Sequence, residues 1–272
     1  MIKEATKVKQ ELPNTVASLA LDLQALGLTS GMTVICHSSL SSLGYVCGGA
    51  VAVIYALKQV LGENGTLVMP TFSSEVSDPM YWINPPVPEA WWPTMREHMP
   101  GYEAGVTPTR KMGAIAENFR KLDGVMRSRH PQSSFAACGP LAKTIIENHD
   151  FDFGLGEGSP LARLYDLNAY VLLLGVSHGN NSSLHLAEYR ANIPTKQIAK
   201  AGAPVVIDGK RQWLIQEDIM NCDSADFIAI GDAFQQATNL VMQGKVGLAD
   251  ALLCPQKPLV DFAVEYMERT RK

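Results

Sequence analysis

A single α/β domain, with a mixed sheet flanked by helices and one proline- and tryptophan-rich excursion, is the fold class predicted for these 272 residues. Three observations predict it. Short apolar runs of strand length alternate with segments whose apolar residues recur at helical spacing, beginning with one β-α-β unit. No internal repeat and no linker divides the chain, so residues 1–272 read as one domain. Apolar residues make up 46% and charged residues 18%, enough apolar material for a sizeable core and too little charge for disorder.

The elements follow in order. Asn14 is placed to cap a helix in which Val16, Leu19, Ala20, Leu23 and Leu26 share a face, and Gly27 stops it. A strand is expected over residues 32–36, opening into His37-Ser38-Ser39-Leu40. A helix over 48–61, a turn over 62–65 and a buried strand over 66–69 ending at Pro70 complete the first β-α-β unit. Residues 73–109 then crowd seven prolines with Trp82, Trp91 and Trp92, the mark of an ordered excursion over the active-site cleft. Helices are expected over 112–122 and 141–146, and Ser159-Pro160 supplies an N-cap and first-turn proline for another. The clearest buried strand is 170–174, and Ser182 and Ser183 are placed to cap a helix carrying His185 and Glu188. Runs 203–208 and 212–219, joined through Asp208-Gly209, read as a hairpin, followed by helices over 226–242 and 261–271.

Composition excludes several function classes. A net charge of −4 with 23 Lys and Arg gives no basic footprint for nucleic acid or an anionic membrane. The N-terminal MIKEATKVKQELPN lacks the apolar stretch of a signal peptide, and the longest apolar run, 169–176, is far short of a membrane span. Five cysteines without a C-x-x-C pair fit reduced thiols and a cytoplasmic location, with no disulfide scaffold or Cys-based zinc site. The hairpin and final helix are compatible with a homodimer.

Several motifs fall short. Gly175-Val176-Ser177-His178-Gly179 matches G-x-S-x-G, but no histidine lies far enough downstream for the triad; the sequence reads better as a tight strand-to-helix turn. Arg110 to Ile115 resembles a pyrophosphate loop of the common acetyltransferase superfamily but misses its sixth position. His178, His185 and Glu188 lack metal-ligand spacing, so no metal is expected. General-base chemistry suits His185 better: in a helix's first turn the macrodipole disfavours imidazolium, and Glu188, three residues on, shares its face and is able to orient the ring. Spacing alone serves a helix-start histidine bonded to a carbonyl equally well.

Six further motifs occur in order: His37 to Gly44, Pro70-Thr71, Thr107-Pro108 with Met112-Gly113, Arg127 to Pro131, Gly158-Ser159-Pro160, and Leu172 to Gly175 running to Asn181-Ser182-Ser183-Leu184-His185-Leu186-Ala187-Glu188. Together they resemble the aminoglycoside 3-N-acetyltransferase family over residues 12–268. The resemblance implies acetyl-coenzyme A as donor and the 3-amino group of a 2-deoxystreptamine ring as acceptor. It implies His185 as catalytic base, and His37, Ser38, Ser39, Leu40, Ser41, Leu43, Gly44, Thr71, Thr107, Ser128 and His130 along the cofactor groove. Gly179 stands where the family commonly has Asp; Glu188 or an acidic residue between Glu217 and Asp223 is able to compensate. For a polycationic substrate, Glu75, Asp78, Glu103, Glu188 and Asp223 are the candidate acidic rim. Acyl transfer then needs a base at the amine and oxyanion donors, for which Ser38 and Ser39 are candidates. Two alternatives stay open: transfer to another small amine or amino-nucleotide, and a binder of acyl-coenzyme A or aminoglycoside that has lost catalysis.

Overall fold

The apolar runs expected as strands lie side by side in one sheet. A computed structural model describes residues 11–220 and 222–272; most of the charged start discussed above, residues 1–10, lies outside the described residues. In chain order the first half comprises α1 (Val16–Leu26), β1 (Thr33–Ser38), α2 (Gly49–Leu61), β2 (Thr66–Pro70), α3 (Trp92–His98), α4 (Gly113–Phe119), β3 (Met126–Arg127) and β4 (Phe135–Cys138). The second half comprises α5 (Ala142–Ile146), α6 (Pro160–Asp166), β5 (Tyr170–Leu174), α7 (Ser183–Arg190), β6 (Ile198–Ile207), β7 (Lys210–Ile219), α8 (Phe227–Ala237), β8 (Met242–Val246), β9 (Ala249–Pro255) and α9 (Gln256–Thr270).

Seven strands form a mixed sheet in the order β3-β4-β2-β1-β5-β9-β8, and β6-β7 form a separate two-stranded sheet. β1 is central, parallel to β2 on one side and to β5 on the other, with Cys36 opposite Leu172 and Ile35 opposite both Val68 and Val171. Burial on both faces explains the unbroken apolar runs of these strands. Side chains alternate between two cores. Val34, Cys36, Leu172 and Leu174 meet α1, α2 and α4 on one face. Ile35, Val171 and Leu173 meet α5 to α9 on the other. The result is a three-layer α/β domain, as expected.

Local chemistry corrects three expectations. Thr15, not Asn14, caps α1: its hydroxyl accepts from Ser18 N at 3.1 Å while the Ser18 hydroxyl accepts from Thr15 N at 2.9 Å. This reciprocal box is worth about 1 kcal/mol. Asn14 is instead buried and donates from Nδ2 to Leu43 O at 2.7 Å, tying the start of α1 to the loop after β1. The helix expected over 226–242 stops at Ala237, and Met242–Val246 is the edge strand β8. Neither serine side chain caps α7; Asn181 Oδ1 accepts from Ser183 N at 3.1 Å.

Other readings agree with the structure. Ser159 accepts from Leu161 N at 3.2 Å with Pro160 beside it. Asp208 and Gly209 both have positive φ, 50° and 72°, as a two-residue hairpin turn requires. The excursion is ordered and fastened to that hairpin. Tyr102 N donates to Pro204 O at 2.9 Å, Tyr81 Oη donates to Lys200 O at 3.1 Å, and Arg211 Nε donates to Met99 O at 2.7 Å.

Candidate active site

The parallel strands β1, β2 and β5 all end at one edge of the sheet, and β1 is where the connections diverge to opposite sides. In such sheets the crevice beyond the carboxyl ends, at this switch point, is where ligands bind. A cleft of about 660 Å³ lies there, lined by His37, Ser38, Ser39, Leu40, Ser41 and Gly44, with Lys111, Met112 and Gly113, and Asn180 and Ser182 beyond β5. The loop after β1 is held rigidly. Ser39 N donates to Leu174 O at 2.9 Å and Ser42 Oγ donates to Gly175 O at 3.0 Å. Gly175 is required where the two loops meet: its φ is +70°, and a Cβ there would lie 2.6 Å from Ser42 Cβ. This close approach accounts for the first glycine of G-x-S-x-G. Ser177 is exposed and accepts from Gly179 N at 3.3 Å, an ordinary turn contact.

The same bond from Ser39 N commits one expected oxyanion donor, leaving the serine hydroxyls of this loop, which form a chain from Ser42 through Ser39 to Ser41. His37 is buried, and burial followed by the charges of His185 and His178 holds its imidazole down at about 3. It is therefore neutral at physiological pH, and its Nε2 has no hydrogen-bond partner among the described residues.

Other residues expected along the cofactor groove do not line this cleft. Leu43 is fully buried in the core. Thr71 is buried against β4, with Oγ1 donating to Ser134 O at 3.0 Å. Ser128 is buried, contacts His149 Nδ1 through Oγ at 2.9 Å and accepts from Phe135 N at 3.0 Å. His130 is fully buried and accepts at Nδ1 from Ser133 N at 2.9 Å, and its ring leaves no room for a side chain at Gly154. Thr107 accepts from Glu103 N through its hydroxyl at 3.0 Å. Behind several of these stands Arg127, whose importance spacing did not reveal. Its guanidinium, on β3, donates to Thr71 O, Ser73 Oγ, Ala104 O and Thr107 O, fastening both ends of the excursion to that strand and to the residue after β2.

His185 and Glu188 do meet. On α7 the imidazole Nδ1 lies 2.5 Å from Glu188 Oε2, and Glu188 is only 2% exposed. A carboxylate accepts but does not donate, so this bond places the Nδ1 proton on the shared edge and leaves Nε2 as the basic nitrogen. Phe227 packs edge-on against the ring, centroids 4.9 Å apart. Burial alone would raise the Glu188 carboxyl; the hydrogen bond and charge of His185, Arg271 Nη1 at 2.6 Å and the Asp223 N–H at 3.0 Å outweigh it and hold the group below its usual range. Arg271 also pairs with Asp226 and donates to Asp223 O. The spacing signal missed it, because a basic residue at a helix end reads simply as complementing the dipole.

A second cleft, of about 470 Å³, adjoins this pair, lined by the carboxylates of Glu188, Asp223 and Asp226 and by the cations Lys196 and Arg271. Of the expected acidic rim, Glu188 and Asp223 line it. Asp78 is buried in a two-toothed pair with Arg96, Nη2 to Oδ1 2.8 Å, and Glu75 pairs with Arg110. Residues 73–109 are absent from the linings of these two clefts.

Comparison with known proteins gives one answer. The aminoglycoside 3-N-acetyltransferase family model matches residues 35–268. The SPbeta prophage-derived aminoglycoside N(3')-acetyltransferase-like protein YokD of Bacillus subtilis (strain 168) is 49% identical over 255 residues, covering 93% of this chain and 92% of its own. Its crystal structure superposes with a TM-score of 0.93 at 47% identity, covering 96% of each chain. The aminoglycoside N(3)-acetyltransferase VII of Streptomyces paromomycinus is 37% identical, covering 94% of this chain and 92% of its own. A structure of AAC-IIIb in a binary complex with CoASH superposes with a TM-score of 0.84 at 29% identity, covering 95% of this chain and 97% of that one. With this fold, this cleft beyond β1 and these matches along nearly its whole length, the chain belongs to the aminoglycoside 3-N-acetyltransferase family of N-acetyltransferases.

Proposed function

We propose that this protein transfers the acetyl group of acetyl-coenzyme A to the 3-amino group of a 2-deoxystreptamine aminoglycoside by direct attack, with His185 as general base. The observation that carries the reading is the His185–Glu188 pair itself, with Nδ1 2.5 Å from the carboxylate of a residue that lines the second cleft. Glu188 lines the second cleft, and His37 lines the first. The first cleft offers the exposed cation Lys111, the serine hydroxyls and His37 Nε2, which has no partner among the described residues, a set suited to a polar, anionic acyl carrier. The second offers carboxylates to an ammonium.

In this mechanism His185 Nε2 takes a proton from the substrate ammonium while Glu188 holds the Nδ1–H and stabilises the imidazolium that forms. The freed amine attacks the thioester carbonyl. The resulting oxyanion is met by hydroxyls of the loop after β1, the C–S bond breaks, the departing thiolate recovers the proton from His185, and the excess N–H proton of the new amide leaves to solvent. The test is coenzyme A thiol release from acetyl-coenzyme A with and without a panel of 2-deoxystreptamine aminoglycosides. Release that depends on them is expected, and His185→Ala should lower turnover about 10²–10⁴-fold with acetyl-coenzyme A binding retained. A variant that keeps near-normal turnover removes His185 from the mechanism.

Gly179, in place of the family's usual Asp, together with the Arg271 guanidinium already bound to Glu188, favours a second reading: an acceptor amine of lower charge. Release with simple amines but not with aminoglycosides selects it.

A further inference from the structure

We propose that His185, Glu188 and Cys222 form an inhibitory site for a single thiophilic divalent cation, zinc or cadmium. One imidazole nitrogen, one carboxylate oxygen and the thiol sulfur lie within 4.8 Å of one another. Nitrogen, oxygen and thiolate sulfur around one point is a donor set that zinc accepts and that magnesium and calcium do not. His178, grouped with His185 by sequence, is not part of this cluster; the third donor comes from the segment between β7 and α8.

The site is built rather than accidental in two respects. Asp223, the residue after Cys222, donates its N–H to Glu188 Oε1 at 3.0 Å, and the thiol itself donates to the carboxylate, so backbone and side chain both hold sulfur against oxygen. Arg271 fixes the same carboxylate from outside, as partners of metal ligands do. The second cleft, which Cys222 and Glu188 line, supplies solvent to a fourth coordination position.

The proton balance predicts the effect. The thiol proton leaves to solvent, the cation takes the Nδ1 lone pair, and the proton formerly on Nδ1 moves to Nε2. Carboxylate and thiolate together neutralise the cation. Nε2 is then protonated and no longer able to accept a proton from the acceptor amine; this inhibitory arm rests on the His185 reading above, whereas binding does not.

The experiment titrates cadmium into the chelator-treated full chain and follows the sulfur-to-cadmium charge-transfer absorbance for wild type, Cys222→Ser and Cys47→Ser, the last removing an exposed thiol. The expected result is a band that saturates in wild type and Cys47→Ser and is lost in Cys222→Ser. Zinc should also protect Cys222, but not Cys47, from alkylation in wild type, a readout that requires no variant. With acetylated product measured by mass spectrometry, zinc should inhibit Cys222→Ser at least about tenfold more weakly than wild type. No band in wild type, a band of equal strength in Cys222→Ser, or no protection of Cys222 overturns the site. A Cys222-dependent band with undiminished turnover overturns the inhibitory arm and with it His185 as base, leaving the binding site standing.

Discussion

Gly179 and Gly175 stand four residues apart and meet opposite constraints. At Gly175 a side chain would clash with the loop after β1; at Gly179 a Cβ would meet only Ser177 Oγ at 3.4 Å and Ile228 at 3.5 Å, ordinary contact distances. Gly179→Asp should therefore fold, and it supplies the carboxylate that the family resemblance implies for this position. An exposed charge pairing is worth up to about 1 kcal/mol, or roughly fivefold in affinity. The expected outcome is a KM for polycationic aminoglycosides lower by up to about fivefold, with the KM for acetyl-coenzyme A unchanged, in steady-state assays. An unchanged aminoglycoside KM would place residue 179 outside the acceptor's reach. At this scale the His185–Glu188 pair was legible because its members stand at positions i and i+3 of one helix. Arg271, 83 residues from Glu188, was not: only the folded packing of α9 beside α7 brings it there.

Elements differ in how plainly they announce themselves. β1, β2 and β5 were readable because both of their faces are buried, which leaves runs such as Tyr170–Leu174 apolar throughout. β8, with Gly244 and Lys245 in a half-exposed edge position, carries neither an apolar run nor alternation, and so was absorbed into the preceding helix. β3 and β4 were missed for another reason: β3 spans two residues and half of β4 is alanine, so their pairing depends on neighbours more than on composition. The excursion was legible as an exception, but its anchor was not. Arg127 satisfies the carbonyls of Thr71, Ala104 and Thr107 at once. Arg127→Ala leaves these acceptors without their donor and should cost roughly 2–4 kcal/mol of stability. Limited proteolysis should then cut first within residues 73–109. Unchanged stability and an unchanged cleavage pattern would show that the hairpin contacts alone hold the excursion.

The molecule as a whole is built around neutral buried histidines. Burial, then the neighbouring charges, holds His37 at about 3; burial holds His130 at about 4 against its hydrogen bond to Phe151 O; burial and the charge of His130 hold His149 well below the ordinary 6.5. Each folded value lies below the unfolded one, so the unfolded chain binds more protons across that interval. Their contribution is complete above about 6.5 and is lost as pH falls toward 4 and 3. The urea midpoint should therefore drop steadily between pH 6.5 and 4, and a flat profile over that interval would mean that these rings take up protons in the fold as readily as in the unfolded chain.

The order of strands has a consequence for how the protein is made. β5, the apolar strand that carries the loop to His185, pairs on one side with β1, but on the other with β9, which is synthesised only at residues 249–255. Until the ribosome has delivered β9, the nascent chain carries a leucine-rich strand with an open hydrogen-bonding edge, the kind of surface that invites association with other chains. α9, which packs against α7 and brings Arg271 to Glu188, follows later still. Closure of the sheet and completion of the His185 environment thus fall at the same late stage of synthesis.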